Sequence, residues 1–243
     1  MTTPPDHEAV MAALAASPDR AVRVGGYWAK RAARAQTNAW HRLQKCAFET
    51  LRIKLFAPTW AEDPSAALAG EAARLERLGR GGFHVPDVAR VTPESLLLAD
   101  AGREVHETMR HADAETRLAL VRRCAGLLAK LHRDGLWHGR ASLRDFVLQG
   151  DTLGFIDCEE DASRLGDWAR PRDLLLFLQS IARFSGDGAL VKEALAAYGD
   201  LAVKAQLAKT LRWISPAIRA LSPFRQSLGR DLKQMLIVCE ALA

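Results

Sequence analysis

The apolar positions of this chain change period along its length, and each change marks an element. Residues 1–20 read as a tail and a short helix, with the helical stretch from about His7 to Ser17 stopped by Pro18. Val22 to Lys30 then shows two short alternating runs joined by Gly25-Gly26, a tight-hairpin signal that puts Lys30 on the second strand. From Thr37 to Phe56, Trp40, Leu43, Ala47, Leu51 and Leu55 recur at helical spacing among Arg42, Lys45, Arg52 and Lys54. Such a basic amphipathic helix suits either an anionic membrane surface or packing on its own domain.

Asp63-Pro64 supplies an N-cap and a proline at the first helical position, which predicts a helix to about Leu78 ended by Gly79, Gly81 and Gly82. Its apolar stripe is Ala67, Leu68, Leu75 and Leu78, and Glu71 falls on that same stripe. A carboxylate facing a core requires a cationic partner. Val88–Val91 and Leu96–Ala99 predict a strand pair before Gly102, followed by a linker. Glu115 to His132 predicts a strongly buried helix, Phe146–Leu148 and Leu153–Ile156 a β-hairpin, and the chain beyond Pro171 is helical throughout. The expected class is α+β, with residues 21–102 as a β-rich part and 103–243 as a mostly helical one.

Composition narrows the classes. At 243 residues with 49% hydrophobic and 26% charged positions the chain is a packed protein, not a disordered or fibrous one. No uncharged stretch reaches the roughly 18–20 apolar residues of a spanning helix. Met1–Asp6 lacks the features of a secretory signal, so the expected location is the cytoplasm. Cys46, Cys124, Cys158 and Cys239 have no close pairing and read as reduced packing residues. The net charge of +5 is uneven: Arg20–Lys54 holds nine basic residues against Glu49, and Lys204–Lys233 seven against Asp231. Two basic segments on an otherwise acidic chain suit anionic partners, either phosphates or lipid headgroups, or simply solvated helix faces. No aromatic-basic strand repeat or recognition helix accompanies them, and no nucleic acid is expected.

The candidate chemistry lies in the middle of the chain. A helix ends at Leu131-His132, a turn follows at Gly135, then come His138-Gly139-Arg140, Asp145, a hairpin, and Asp157 at its exit. This order resembles the catalytic and metal-binding loops of the protein-kinase-like fold. More narrowly, Leu131–Phe146 (LHRDGLWHGRASLRDF) followed by Ile156–Glu160 (IDCEE) resembles the lipopolysaccharide kinase family, the Kdo and heptose kinases. The resemblance covers about Val22 to Ser180 and implies a two-lobed fold.

In register with that family, the literal His132-Arg133-Asp134 is a decoy, because Gly139 stands where the metal-binding Asn would follow. Registering on His138 places Asp145 at the Asn position and Asp157 at the metal-binding Asp, which implies that the two hold Mg2+ against ATP phosphates. Lys30, paired with Glu71, is then the lysine that reaches the α- and β-phosphates; Lys45 competes for that place but sits in the helix-patterned segment. Asp173, with His138, is implied to hold the catalytic-loop backbone, and a carboxylate at a helix start also meets a favourable dipole.

Two departures stand out. The family's general base is replaced by Arg140, which accepts no proton at neutral pH. No glycine-rich loop precedes Lys30. The resemblance therefore implies one of two activities. The first is ATP- and Mg2+-dependent transfer to a hydroxyl of a lipopolysaccharide-core, glycolipid or sugar acceptor at the inner face of the membrane. In that case Arg140 steadies the phosphoryl group and Glu159, Glu160 or Asp145 replaces the base. The second is a nucleotide-binding pseudokinase that works as a regulatory or scaffold module.

Overall fold

The computed structural model describes residues 3–32, 54–57, 59, 63–220 and 229–242. In chain order its elements are α1 (His7–Ala16), β1 (Ala21–Val24), β2 (Tyr27–Arg31), α2 (Pro64–Arg80), β3 (Val88–Val91), β4 (Ser95–Ala99) and β5 (Arg103–Glu104). There follow α3 (Val105–His111), α4 (Ala114–Arg133), β6 (Phe146–Gln149), β7 (Thr152–Phe155), α5 (Ala169–Ser185), α6 (Ala189–Tyr198), α7 (Leu201–Ala220) and α8 (Gly229–Ala241). The chain is α+β, and it divides into two compact units. Met1–Gly102 with Val147–Arg164 forms the first, and Arg103–Phe146 with Leu165–Ala243 the second. Sequence placed Val147–Arg164 in the helical part; in the structure it returns to the first unit.

The first unit is built on an antiparallel sheet in the order β1-β2-β4-β3. Gly25, at φ +63°, turns β1 into β2, where a side chain would be strained. Tyr27 pairs with Ala99 and Lys30 with Leu96. Because a strand alternates its faces, Tyr27 and Ala29 share one side while Trp28 and Lys30 share the other. The Tyr27 side, with Leu97, buries Val10 and Leu14 of α1, so the amino-terminal helix belongs to the core of this unit. The Arg31 guanidinium donates to the Leu14 and Ser17 carbonyls, satisfying acceptors that the end of α1 leaves open. α2 packs on β3 and β4, starting where the Asp63 carboxylate accepts from the Ser65 and Ala66 amides at 3.1 and 3.2 Å.

The β6–β7 hairpin docks on the same unit through Gly154. The Phe155 amide donates to the His84 carbonyl at 2.9 Å, and a Cβ on Gly154 would stand 2.3 Å from that oxygen. Only glycine allows so close an approach.

The second unit is helical. α4 begins where Asp113 accepts from the Thr116 amide at 2.7 Å, and it buries Leu120, Val121, Cys124, Leu128 and Leu131. It packs against α6, and α5 packs against α8. The stretch after Gly102, expected as a linker, contains α3, whose seven residues bury Val105 and Met109. Too short to display a period, it forms because these two side chains find a core. Of the basic helix expected over Thr37–Phe56, residues 37–53 lie outside the described residues, and Lys54–Phe56 is one 3-10 turn. Among the described residues no helix is long and apolar enough to cross a membrane. Cys124, Cys158 and Cys239 are buried.

Candidate functional site

Lys30 stands on the sheet face opposite α1 and is nearly buried, and from there its ammonium meets two acids. Its Nζ donates to Glu71 Oε1 at 2.6 Å and to Asp157 Oδ1. Glu71 reaches it from the core face of α2 with 1% of its side chain exposed, whereas the Asp157 carboxylate is 44% exposed. Burial alone would lower the Lys30 pKa, but the charges of Glu71 and Asp157 outweigh it and hold the ammonium above its ordinary value. Burial pushes the Glu71 carboxyl up, and the Lys30 charge works against that. The result is a lysine that stays protonated, with one interior acid fixing it and one acid open to solvent.

Asp157 has the left-handed backbone that L residues avoid, φ +60°, and is the one non-glycine residue with positive φ among the described residues. That conformation costs about 1–2 kcal/mol and is held in place by the surroundings. Arg74, one turn beyond Glu71 on α2, donates from Nε to the Cys158 carbonyl at 2.6 Å and from Nη2 to the Glu159 carbonyl. A Cβ on Gly70 would come within 3.1 Å of Nη1, so the small residue there leaves room for the guanidinium. Arg20 pairs with Glu159 at 2.6 Å, and the Thr59 hydroxyl donates to Glu160. The segment from Asp157 to Glu160 is thus tied to β2, α2 and the approach to β1. Glu159 and Glu160, the candidate bases, are both engaged.

A second cluster lies inside the helical unit. Asp173, expected at a helix start, lies one turn inside α5, which begins at Ala169; fully buried, it accepts at Oδ2 from the His138 amide at 2.7 Å and the Gly139 amide at 3.2 Å. Its Oδ1 accepts from the Ala141 amide at 3.4 Å. His132 joins it: Nε2 lies 3.3 Å from Asp173 Oδ2, and Nδ1 lies 2.6 Å from the buried Tyr198 hydroxyl. Burial would raise the Asp173 pKa, but the hydrogen bond and charge of His132, with His138, outweigh it and hold the carboxyl below its ordinary range. Burial pushes the Tyr198 phenol well up. The loop His138–Ala141 therefore hangs on a carboxylate that a Tyr-His pair keeps in place. Arg140, within that loop, is exposed. Asp145 closes a capping box, its Oδ2 accepting from the Ser142 amide at 2.7 Å.

The structure therefore brings Lys30, Glu71 and Asp157 together within the first unit, and Asp173 with the His138–Ala141 backbone within the second. Asp145 and Arg140 belong to the second unit. Sequence reading missed Arg74, Tyr198 and the role of His132. The leucine-rich face of α4 that carries His132 was the available signal, since a histidine on an apolar face requires partners. Asp134 has a local role, receiving the Lys130 ammonium at 2.6 Å.

The residues present put a fixed ammonium beside a half-open carboxylate. Among the described residues no group of three or more His, Cys, Asp or Glu side chains is placed to hold a metal by itself. Magnesium commonly takes only one or two carboxylates and completes its shell with phosphate oxygens and water. No family model matches the chain. A Haemophilus influenzae protein described as uncharacterized is 26% identical over 123 residues, 49% of this chain and 51% of that protein. The chain thus spans about half the length of the curated relative it matches.

Proposed function

We propose that this protein is an atypical member of the protein-kinase-like fold that binds ATP with Mg2+ and transfers a phosphoryl group to an alcohol. The division of the chain into two compact units supports the two-lobed part of this reading. The observation that carries the reading is Lys30, clasped by an interior Glu71 and touching Asp157 at the exit of a hairpin. An ammonium held this way is aimed, whereas a solvated lysine is not; this is the arrangement that phosphoryl transfer requires of the lysine and acid that meet ATP phosphates. Mg2+, when bound, would neutralise phosphate charge, and Asp157 is the residue proposed to hold it, with phosphate oxygens and water completing its shell. Lys30 orients the phosphates, Arg74 fixes the backbone that presents Asp157, and Asp173 fixes the loop that carries Arg140.

In the transfer the acceptor oxygen bonds to the γ-phosphorus as the bond to the β,γ-bridging oxygen breaks, and the hydroxyl proton leaves to a carboxylate or to water. A loose transition state makes little demand on a base, so Arg140 at that position is compatible with turnover. The proposed acceptor is a hydroxyl of a lipopolysaccharide core, glycolipid or related envelope sugar.

Arg140 also favours a second reading, a pseudokinase that binds nucleotide and acts as a regulatory or scaffold module. Thermal shift and phosphate incorporation separate the two. Mg·ATP should raise the melting temperature of the wild type and not of Asp157→Asn, which keeps the shape of the side chain and tolerates the left-handed backbone there. Incorporation into lipid A-core acceptors that Asp157→Asn abolishes supports the kinase. A nucleotide shift without turnover supports the pseudokinase, and no shift removes both.

A further inference from the structure

α7 presents an outward face that none of the foregoing uses. Leu201, Ala202, Ala205, Lys209, Arg212, Trp213 and Pro216 are all exposed, Trp213 at 81% and Leu201 at 74%. At about 3.6 residues per turn they fall within one arc of about 120°. Val203, Leu207, Leu211 and Ser215 are buried and occupy the other side. An indole left this bare is unusual, because burying such a ring is among the larger favourable contributions a side chain can make.

The charge is as one-sided as the exposure. α7 carries Lys204, Lys209, Arg212 and Arg219 and no Asp or Glu; the next acid in the chain is Asp231. Lys204 turns inward to the Leu195 carbonyl at 3.2 Å, whereas no carboxylate among the described residues pairs with Lys209 or Arg212. Apolar side chains therefore share the face with exposed cations. An indole rests favourably at the level of lipid headgroups, with its ring against the acyl boundary and its N–H toward water. Lysine and arginine beside it lay their stems on the surface and raise their charges to anionic headgroups. A nucleic acid would draw on a denser array of cations and polar donors than two cations among Ala, Leu and Pro.

We infer that the outward face of α7, centred on Trp213 with Lys209 and Arg212, docks the protein on a bilayer that contains anionic lipid. The inference does not draw on the basic stretch 37–56, and it stands whether or not the protein binds nucleotide.

The test is flotation of the full chain with phosphatidylcholine vesicles, with and without about one-third phosphatidylglycerol. The protein should float with the anionic vesicles only, and less so as salt is raised. A basic residue near such a surface strengthens partitioning roughly five-fold, so Lys209→Gln/Arg212→Gln should weaken it about 25-fold. Trp213→Ala should abolish most of the remainder. The three side chains are exposed, so melting temperatures should stay put. Should Trp213→Ala melt early, Trp213→Phe keeps the ring, and loss of emission quenching by nitroxide-labelled lipid relative to wild type reads the same contact. No flotation with anionic vesicles, or flotation equal in wild type and variants, overturns the inference. So does tighter binding of a single-stranded oligonucleotide than of vesicles that disappears in the same variants.

Discussion

Glu71→Gln removes one charge and almost no volume, and its cost follows from where that charge sits. At 2.6 Å from Lys30 Nζ, and at an effective dielectric constant of about 20, the attraction lost is about 6 kcal/mol. Against this stands the relief of no longer burying a carboxylate, the largest influence on Glu71. Lys30 also keeps Asp157. Breaking one side of a buried pair costs about 3–5 kcal/mol in general; with the second acid in place we expect about 2–4 kcal/mol here. Lys30→Met alone should cost a similar amount, because it leaves the interior Glu71 without its cation.

The double variant Lys30→Met/Glu71→Gln should cost clearly less than the sum of the two single losses, since it leaves no buried charge without its partner. Urea unfolding followed by circular dichroism on the four proteins gives the coupling energy directly. If Glu71→Gln unfolds within about 0.5 kcal/mol of wild type, or the two single losses simply add in the double variant, the interior ion pair is not what fixes Lys30.

Other outcomes follow from the same structure. The Asp173 carboxyl is held below its ordinary value of 3.8, so its ionisation stabilises the fold above that pH, and the contribution is lost as pH falls through the depressed value. Wild-type unfolding free energy should therefore drop more steeply below about pH 4 than that of Asp173→Asn, and parallel curves would refute the assignment. Asp173→Ala strips three loop amides of their acceptor and should cost about 3–5 kcal/mol, read as a lowered urea midpoint. Arg74→Gln should speed hydrogen exchange at the Glu159 amide, which bonds to the Asp157 carbonyl, and leave exchange in α4 unchanged. Gly154→Ala forces a Cβ against the His84 carbonyl; it should cost about 1–3 kcal/mol and expose the Phe155 amide to exchange.

How far the site could be read beforehand depended on sequence distance. Glu71 declared itself because it interrupts an apolar stripe on a helix whose cap and proline are adjacent in sequence. Lys30 followed from a Gly-Gly hairpin, and Asp157 from its place after two short strands. Each of these signals is local. Arg74 gave none: an arginine on a polar helix face looks solvated until the carbonyls of Cys158 and Glu159, 84 and 85 residues away, are brought to it. His132 likewise looked like part of a motif because its neighbours spell one, yet its partners Asp173 and Tyr198 lie 41 and 66 residues on.

From sequence alone come the α+β class, the caps, the hairpins and the periodic helices, because each is decided by backbone preferences and side-chain spacing within a few residues. Only the tertiary structure decided that Val147–Arg164 joins the amino-terminal unit, that α1 lies in its core, and that α3 is helical. It also decided which cation meets which acid. Those outcomes depend on burial and on charges made strong by exclusion of water, and neither exists until distant segments have packed.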